Sequence, residues 1–121
     1  MIAWRFAAAG SLLLALPVCA HDSTGRNGGR VTDAGRYHLE LVARDRIIEV
    51  YVLDGNETPL PATGFRGTAI LVVNGRPARI ALAPDDAGKL TGTAEVALGP
   101  VPKGAVQLTA PDGTTASGRF N

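Results

Sequence analysis

Four side chains able to do chemistry lie close together in the sequence: His38 and Glu40, then Glu49 and Tyr51. In an extended strand, residues two apart point the same way, with side-chain bases about 7 Å apart. His38 and Glu40 would therefore share a face. Placed beside Glu49, they supply an imidazole and two carboxylates, a donor set that suits Zn²⁺ or Cu²⁺. His21 is a further metal-ligand candidate: cleavage after Ala20 would make it the N-terminus, presenting its α-amine and ring nitrogen together. Tyr51 falls in the same patch as a second-sphere neighbour. Glu40 and Glu49 are also formally a carboxylate pair for acid–base work. A flat sheet face offers no cleft for it, so no enzyme is expected. Residues 21–121 hold no cysteine, and their only serines are Ser23 and Ser117, which leaves no nucleophile elbow or cysteine–histidine pair.

The elements that must position these residues are two strands folded back on each other, spanning Arg36 to Leu53. Tyr37, Leu39, Leu41 and Ala43 alternate with His38, Glu40 and Val42; Ile48, Val50 and Val52 alternate with Ile47, Glu49 and Tyr51. A loop of even length around Arg44-Asp45 pairs Leu41 with Ile48 and Leu39 with Val50. An odd loop would bury Glu49, so the even register is expected. In its tightest form Glu40 stands across from Glu49 and His38 across from Tyr51.

Residues 1–20 read as a secretory signal peptide: Arg5, an apolar run from Phe6 to Leu16, and small residues at Val18-Cys19-Ala20. That run is too short to span a bilayer comfortably. The expectation is a periplasmic or secreted protein, the alternative a lipid anchor through Cys19. Cleavage removes Cys19, Met1 and Trp4, the only residues of their kinds, and with them disulfides and sulfur ligands. Without Arg5 the twelve Lys and Arg become eleven, matching the eleven Asp and Glu. A neutral sum carries no overall field for nucleic acid or an anionic membrane.

Taking off 20 of 121 residues leaves 101, the size of one domain, with a core of aliphatic residues. Residues 21–29 are polar and glycine-rich and read as a flexible N-terminal arm; 30–121 form the domain. Asn74-Gly75 is the strongest hairpin signal, pairing Leu71 with Ala78 and Ala69 with Ile80. Leu90 to Leu98 alternates as one further strand, and two more are expected at Ala105–Ala110 and Thr115–Phe120. Turns with proline interrupt the chain at 54–61, 84–88, 99–104 and 111–113. Seven or eight short strands without helical periods predict an all-β, antiparallel immunoglobulin-like β-sandwich, with a small β-barrel as the alternative.

Gly28-Gly29-Arg30-Val31, Gly35 to Val42 and Ile48 to Asp54 together resemble small exported bacterial proteins found around heavy-metal efflux systems. Members look like a histidine-glycine-glycine start, a Tyr-His-Leu-Glu strand and a second strand ending in Tyr and Asp. Asn27 stands where the histidine of that start would be. The resemblance implies a periplasmic β-sandwich with a metal connection. Two expectations follow: a monomeric, non-catalytic metal-binding or metal-efflux accessory protein, or an interaction module whose exposed strand edge docks on an envelope transport complex.

Overall fold

The structure is a computed structural model and describes residues 23–121; the signal segment and His21 lie outside the described residues. Ten strands follow in chain order: β1 (Ser23–Thr24), β2 (Arg30–Ala34), β3 (Tyr37–Arg44), β4 (Ile47–Leu53), β5 (Pro59–Leu60), β6 (Arg66–Val73), β7 (Arg76–Pro84), β8 (Leu90–Thr93), β9 (Lys103–Thr109) and β10 (Thr115–Phe120). There is no helix among the described residues. All pairings are antiparallel, in the order β1-β2-β3-β4-β8-β7-β6-β9-β10, with β5 added to β4. The sheet curls until its far end meets its beginning. A Cβ on Gly118 of β10 would lie 2.8 Å from Thr32 Cγ2 and 3.3 Å from Leu39 Cδ1. Arg30 fastens the same seam, donating to the Asn121 carbonyl at 2.9 Å and lying 5.4 Å from the Phe120 ring.

The concave side holds the core: Leu39, Leu41, Ile48, Val50, Val52, Leu71, Ile80, Leu90, Val106, Leu108 and Phe120 are all buried. Each such side chain contributes about 1.5–3 kcal/mol, so a core of this size holds the chain without disulfide staples. Tyr37 and Phe65 meet edge-on, their centroids 5.3 Å apart.

The β6–β7 hairpin has the expected register, Leu71 against Ala78 and Ala69 against Ile80. Its turn residues Asn74 and Gly75 take φ of 51° and 78°, which a two-residue turn requires. The β3–β4 hairpin keeps the expected parity but shifts by two residues: Leu41 faces Val50 and Leu39 faces Val52. The turn centres on Asp45-Arg46, not Arg44-Asp45, because its first residue needs φ of 56° and aspartate tolerates the left-handed region better than arginine. The turn is also gripped from outside, since Ala94 N–H donates to the Arg46 carbonyl and Leu98 N–H to the Asp45 carbonyl, both at 2.7 Å.

Those two bonds explain a second difference. The strand expected over Leu90–Leu98 ends at Thr93, and the chain then follows the β3–β4 turn, burying Ala94 and Leu98 and leaving Val96 46% exposed. The third difference is at the start. The described part of the expected arm forms β1 and a tight Gly25–Gly29 turn closed by Gly25 N–H to the Gly29 carbonyl at 2.8 Å.

Candidate functional site

Glu40 sits on the convex side of β3, yet it is 1% exposed, because the Gly25–Gly29 turn folds over it. Its Oε2 accepts from the main-chain N–H of Asn27 and of Gly29, each at 2.8 Å, and Oε1 accepts from Asn27 Nδ2 at 2.9 Å. Only glycine permits the approach at position 25, where a Cβ would lie 2.3 Å from the Glu40 carboxyl carbon. A buried carboxylate needs this many donors to offset its lost hydration. Its oxygens are therefore engaged in fastening the turn. The glycine-rich run Gly25-Arg26-Asn27-Gly28-Gly29 was the available sequence signal, since such a run can aim several main-chain donors at one anion.

The shifted register separates the other three residues. Glu40 faces Tyr51, Val42 faces Glu49, and His38 faces Leu53. His38 turns to β2, where Nδ1 lies 3.0 Å from Asp33 Oδ1. Glu49 is ion-paired on both sides, with Arg44 at 3.1 Å and Lys89 at 3.6 Å, although its buried Oε1 receives no directed hydrogen bond. Lys89 also binds Asp85 at 3.0 Å and lies 6.0 Å from the Tyr51 ring. Hydrogen bonding to Asp85 raises the Lys89 ammonium above its ordinary range and lowers the Asp85 carboxyl below its own. His38, Glu40 and Glu49 thus serve three separate contacts. Among the described residues, no three His, Asp or Glu side chains converge on a common point for an ion.

Three loop aspartates are engaged in the same way. Asp54 Oδ1 accepts from the N–H of Asn56 and Thr58, Asp85 Oδ1 from Ala87 and Lys89, and Asp112 Oδ1 from Thr114. These are turns closed by aspartate side chains, the role turn chemistry assigns to them. Over β3 and β4 the Gly25–Gly29 turn and the 56–60 loop frame a cleft of about 560 Å³, with Tyr51, Val31 and Leu53 in its floor and Arg26 and Glu57 on its walls.

No family model, curated protein or solved structure matches this sequence. The geometry of the chain itself therefore carries the functional reading.

A second surface has the character of a binding element. β7 pairs with β6 from Arg76 to Leu82 but with β8 only at Ala83 and Pro84. β8 leaves it after Gly92, whose missing side chain admits the Ala81 carbonyl. The gap between β7 and residues 93–96 is a cleft of about 970 Å³ lined by Arg76, Arg79, Ile80, Glu95 and Val96. In a two-residue hairpin the flanking pair exchanges both ladder bonds and the pattern alternates from there. Arg76, Ala78, Ile80 and Leu82 therefore turn their main-chain groups to β6; Pro77, Arg79 and the N–H of Ala81 turn to the open side, while the Ala81 carbonyl lies against Gly92. Sequence reading anticipated an exposed edge but gave no residues for it, because it depends on where β8 parts from β7.

Proposed function

We propose that this protein is an exported, non-catalytic binding module of the cell envelope, an immunoglobulin-like β-sandwich that takes up an extended, acidic segment of a partner along β7. The open edge at Arg79–Ala81 is the observation that carries this reading. An added strand would find main-chain groups there, with Ile80 and Val96 beside it in the cleft. Pro77 lacks an N–H, and Arg76 and Arg79 repel an identical edge, so the strand is guarded against its own copies. The same arginines favour a partner strand carrying Asp or Glu. With so few ladder bonds available, docking is weak, Kd on the order of 0.1 mM.

The test is fluorescence anisotropy with a labelled peptide alternating valine and glutamate. Ala81→Pro removes an outward N–H while sparing the β6 ladder, and Arg79→Glu reverses the charge. Both should weaken binding at least tenfold. Equal binding by wild type and both variants removes the edge as the site.

A second reading keeps the metal, on one observation: Asp33 holds His38 Nδ1 and so leaves Nε2 as a free donor, the second-sphere arrangement that metal-binding histidines use. Zn²⁺ or Cu²⁺ would then be held by His38 together with His21. Glu40 and Glu49, with their oxygens engaged, do not fit that set. Calorimetric titration of Cu²⁺ and Zn²⁺ into the protein, His38→Ala and His21→Ala decides it; binding indifferent to both substitutions ends the metal reading.

A further inference from the structure

A net charge of only +1 hides a strong segregation of charge. The alternation of β6, β7, β9 and β10 sets one side of each strand on the core and the other on the convex surface. By the observed registers, that convex surface carries Arg66 on β6, Arg79 on β7, Lys103 on β9 and Arg119 on β10. These four strands contain no acid at all. All four cations are exposed, and none takes part in an ion pair of the described residues. Arg79 and Arg119 occupy one row, separated by Ile70 and Ala105, so they stand about 14 Å apart at the strand spacing.

One exposed aliphatic group stands among the cations, and a second lies in the loop that leads into β9. Val72 lies directly across from Lys103 and is 53% exposed; Val101, two residues before Lys103, is 55% exposed. These are the two most exposed large apolar residues among those described.

We propose that this face docks on an anionic lipid surface, with Arg66, Arg79, Lys103 and Arg119 among the headgroup phosphates and Val72 and Val101 at the acyl boundary. The pairing of aliphatic side chains with cations separates this partner from others. A nucleic acid rewards aromatic side chains for stacking, and this face has none. An acidic protein strand would need a free edge, and this surface is the paired interior of a sheet. A headgroup layer rewards both features at once, attraction for each Lys or Arg and burial of short aliphatic groups. The inference shares Arg79 with the β7 edge but uses none of that edge's main-chain groups, and Lys103 and Arg119 lie on strands away from it.

The test is co-sedimentation with vesicles of equal parts phosphatidylglycerol and phosphatidylcholine, against phosphatidylcholine alone. Every variant carries the same residues 6–16, so their apolar contribution cancels. Binding is expected to the anionic vesicles only and to fall away in half-molar salt. Each of Arg79→Gln, Lys103→Gln and Arg119→Gln should weaken it about fivefold, and the three together about a hundredfold. Val72→Ser with Val101→Ser should weaken vesicle binding while leaving retention on a DNA or polyglutamate column unchanged. All these positions are exposed, and circular dichroism of each variant confirms folding before it is scored. Absence of binding to anionic vesicles overturns the proposal. Binding that ignores the two valines and is matched by DNA or polyglutamate overturns it too, in favour of an acidic macromolecule.

Discussion

Replacing Glu40 distinguishes a structural anchor from a ligand. Glu40→Ala removes an acceptor from three donors and leaves the N–H groups of Asn27 and Gly29 facing an apolar void. Hydrogen bonds to a charged acceptor contribute about 1.5–3 kcal/mol each, but they do not add, and removing the carboxylate also relieves its own desolvation. The Gly25–Gly29 turn can swing out and rewet its donors, which caps the loss. The expected net cost is about 3 kcal/mol, equivalent to a fall in Tm of about 12–24 °C for a domain of this size. Glu40→Gln keeps one oxygen for the two main-chain donors and can turn its amide to a flipped Asn27 side chain, so its cost should be nearer 1 kcal/mol. Urea denaturation measures both, and amide hydrogen exchange locates the effect: Asn27 and Gly29 are protected in the wild type and exchange freely in Glu40→Ala. A carboxylate held ready for a metal gives the opposite pattern, with the alanine variant as stable as wild type or more so and with cation binding lost. That result would refute the anchoring role.

Three further outcomes follow from the geometry. Gly118→Val places a branched side chain where a Cβ already comes within 2.8 Å of Thr32 and 3.2 Å of the Asp33 carbonyl; it should cost about 1–3 kcal/mol in thermal unfolding by prising β10 from β2. Asp45→Gly relieves the φ of 56° and should leave stability level or slightly raised, whereas Asp45→Val should lose about 1–2 kcal/mol and broaden the β3–β4 amide resonances. The Asp85 carboxyl lies below its ordinary value, chiefly through its hydrogen bond with Lys89, so what the 85–89 turn contributes is complete above the ordinary carboxylate pKa of about 4 and is lost as pH falls below it. The protection factors of the amides in that turn, with the intrinsic pH dependence of exchange divided out, should therefore stay flat from neutral pH to about 5 and fall only in acid, and Asp85→Asn should abolish that acid dependence.

Local signals in the sequence were enough for much of the fold. Asn74-Gly75 determined a turn and a register together, because few residue pairs accept two successive left-handed conformations. Period-two alternation told which residues of β3 and β4 face the core, and that parity survived the two-residue shift imposed by Asp45. The shift nevertheless changed the pairings inferred from sequence, setting Glu40 across from Tyr51 and Glu49 across from Val42, since a displacement that preserves faces still changes direct partners. Pairings between distant segments, β4 with β8 and β6 with β9, had no local signal and decided where β7 is left open. The burial of Glu40 likewise depended on a turn fifteen to eleven residues upstream folding over it. The cationic face was legible in principle: Arg66, Arg79, Lys103 and Arg119 all sit out of phase with the core positions of their strands, a pattern that a count of net charge erases.

Amide NMR of the free and peptide-bound protein decides whether β7 binds through its open edge. In the free protein the amides of Arg79 and Ala81 should exchange with solvent within minutes while those of Ala78 and Ile80 are protected. Adding the valine–glutamate peptide should shift resonances from Arg76 to Leu82 and from Thr93 to Val96, and slow exchange at Arg79 and Ala81. Protection of Arg79 and Ala81 before any peptide is added, or shifts confined to His38 on β3 and Tyr51 on β4, would contradict it.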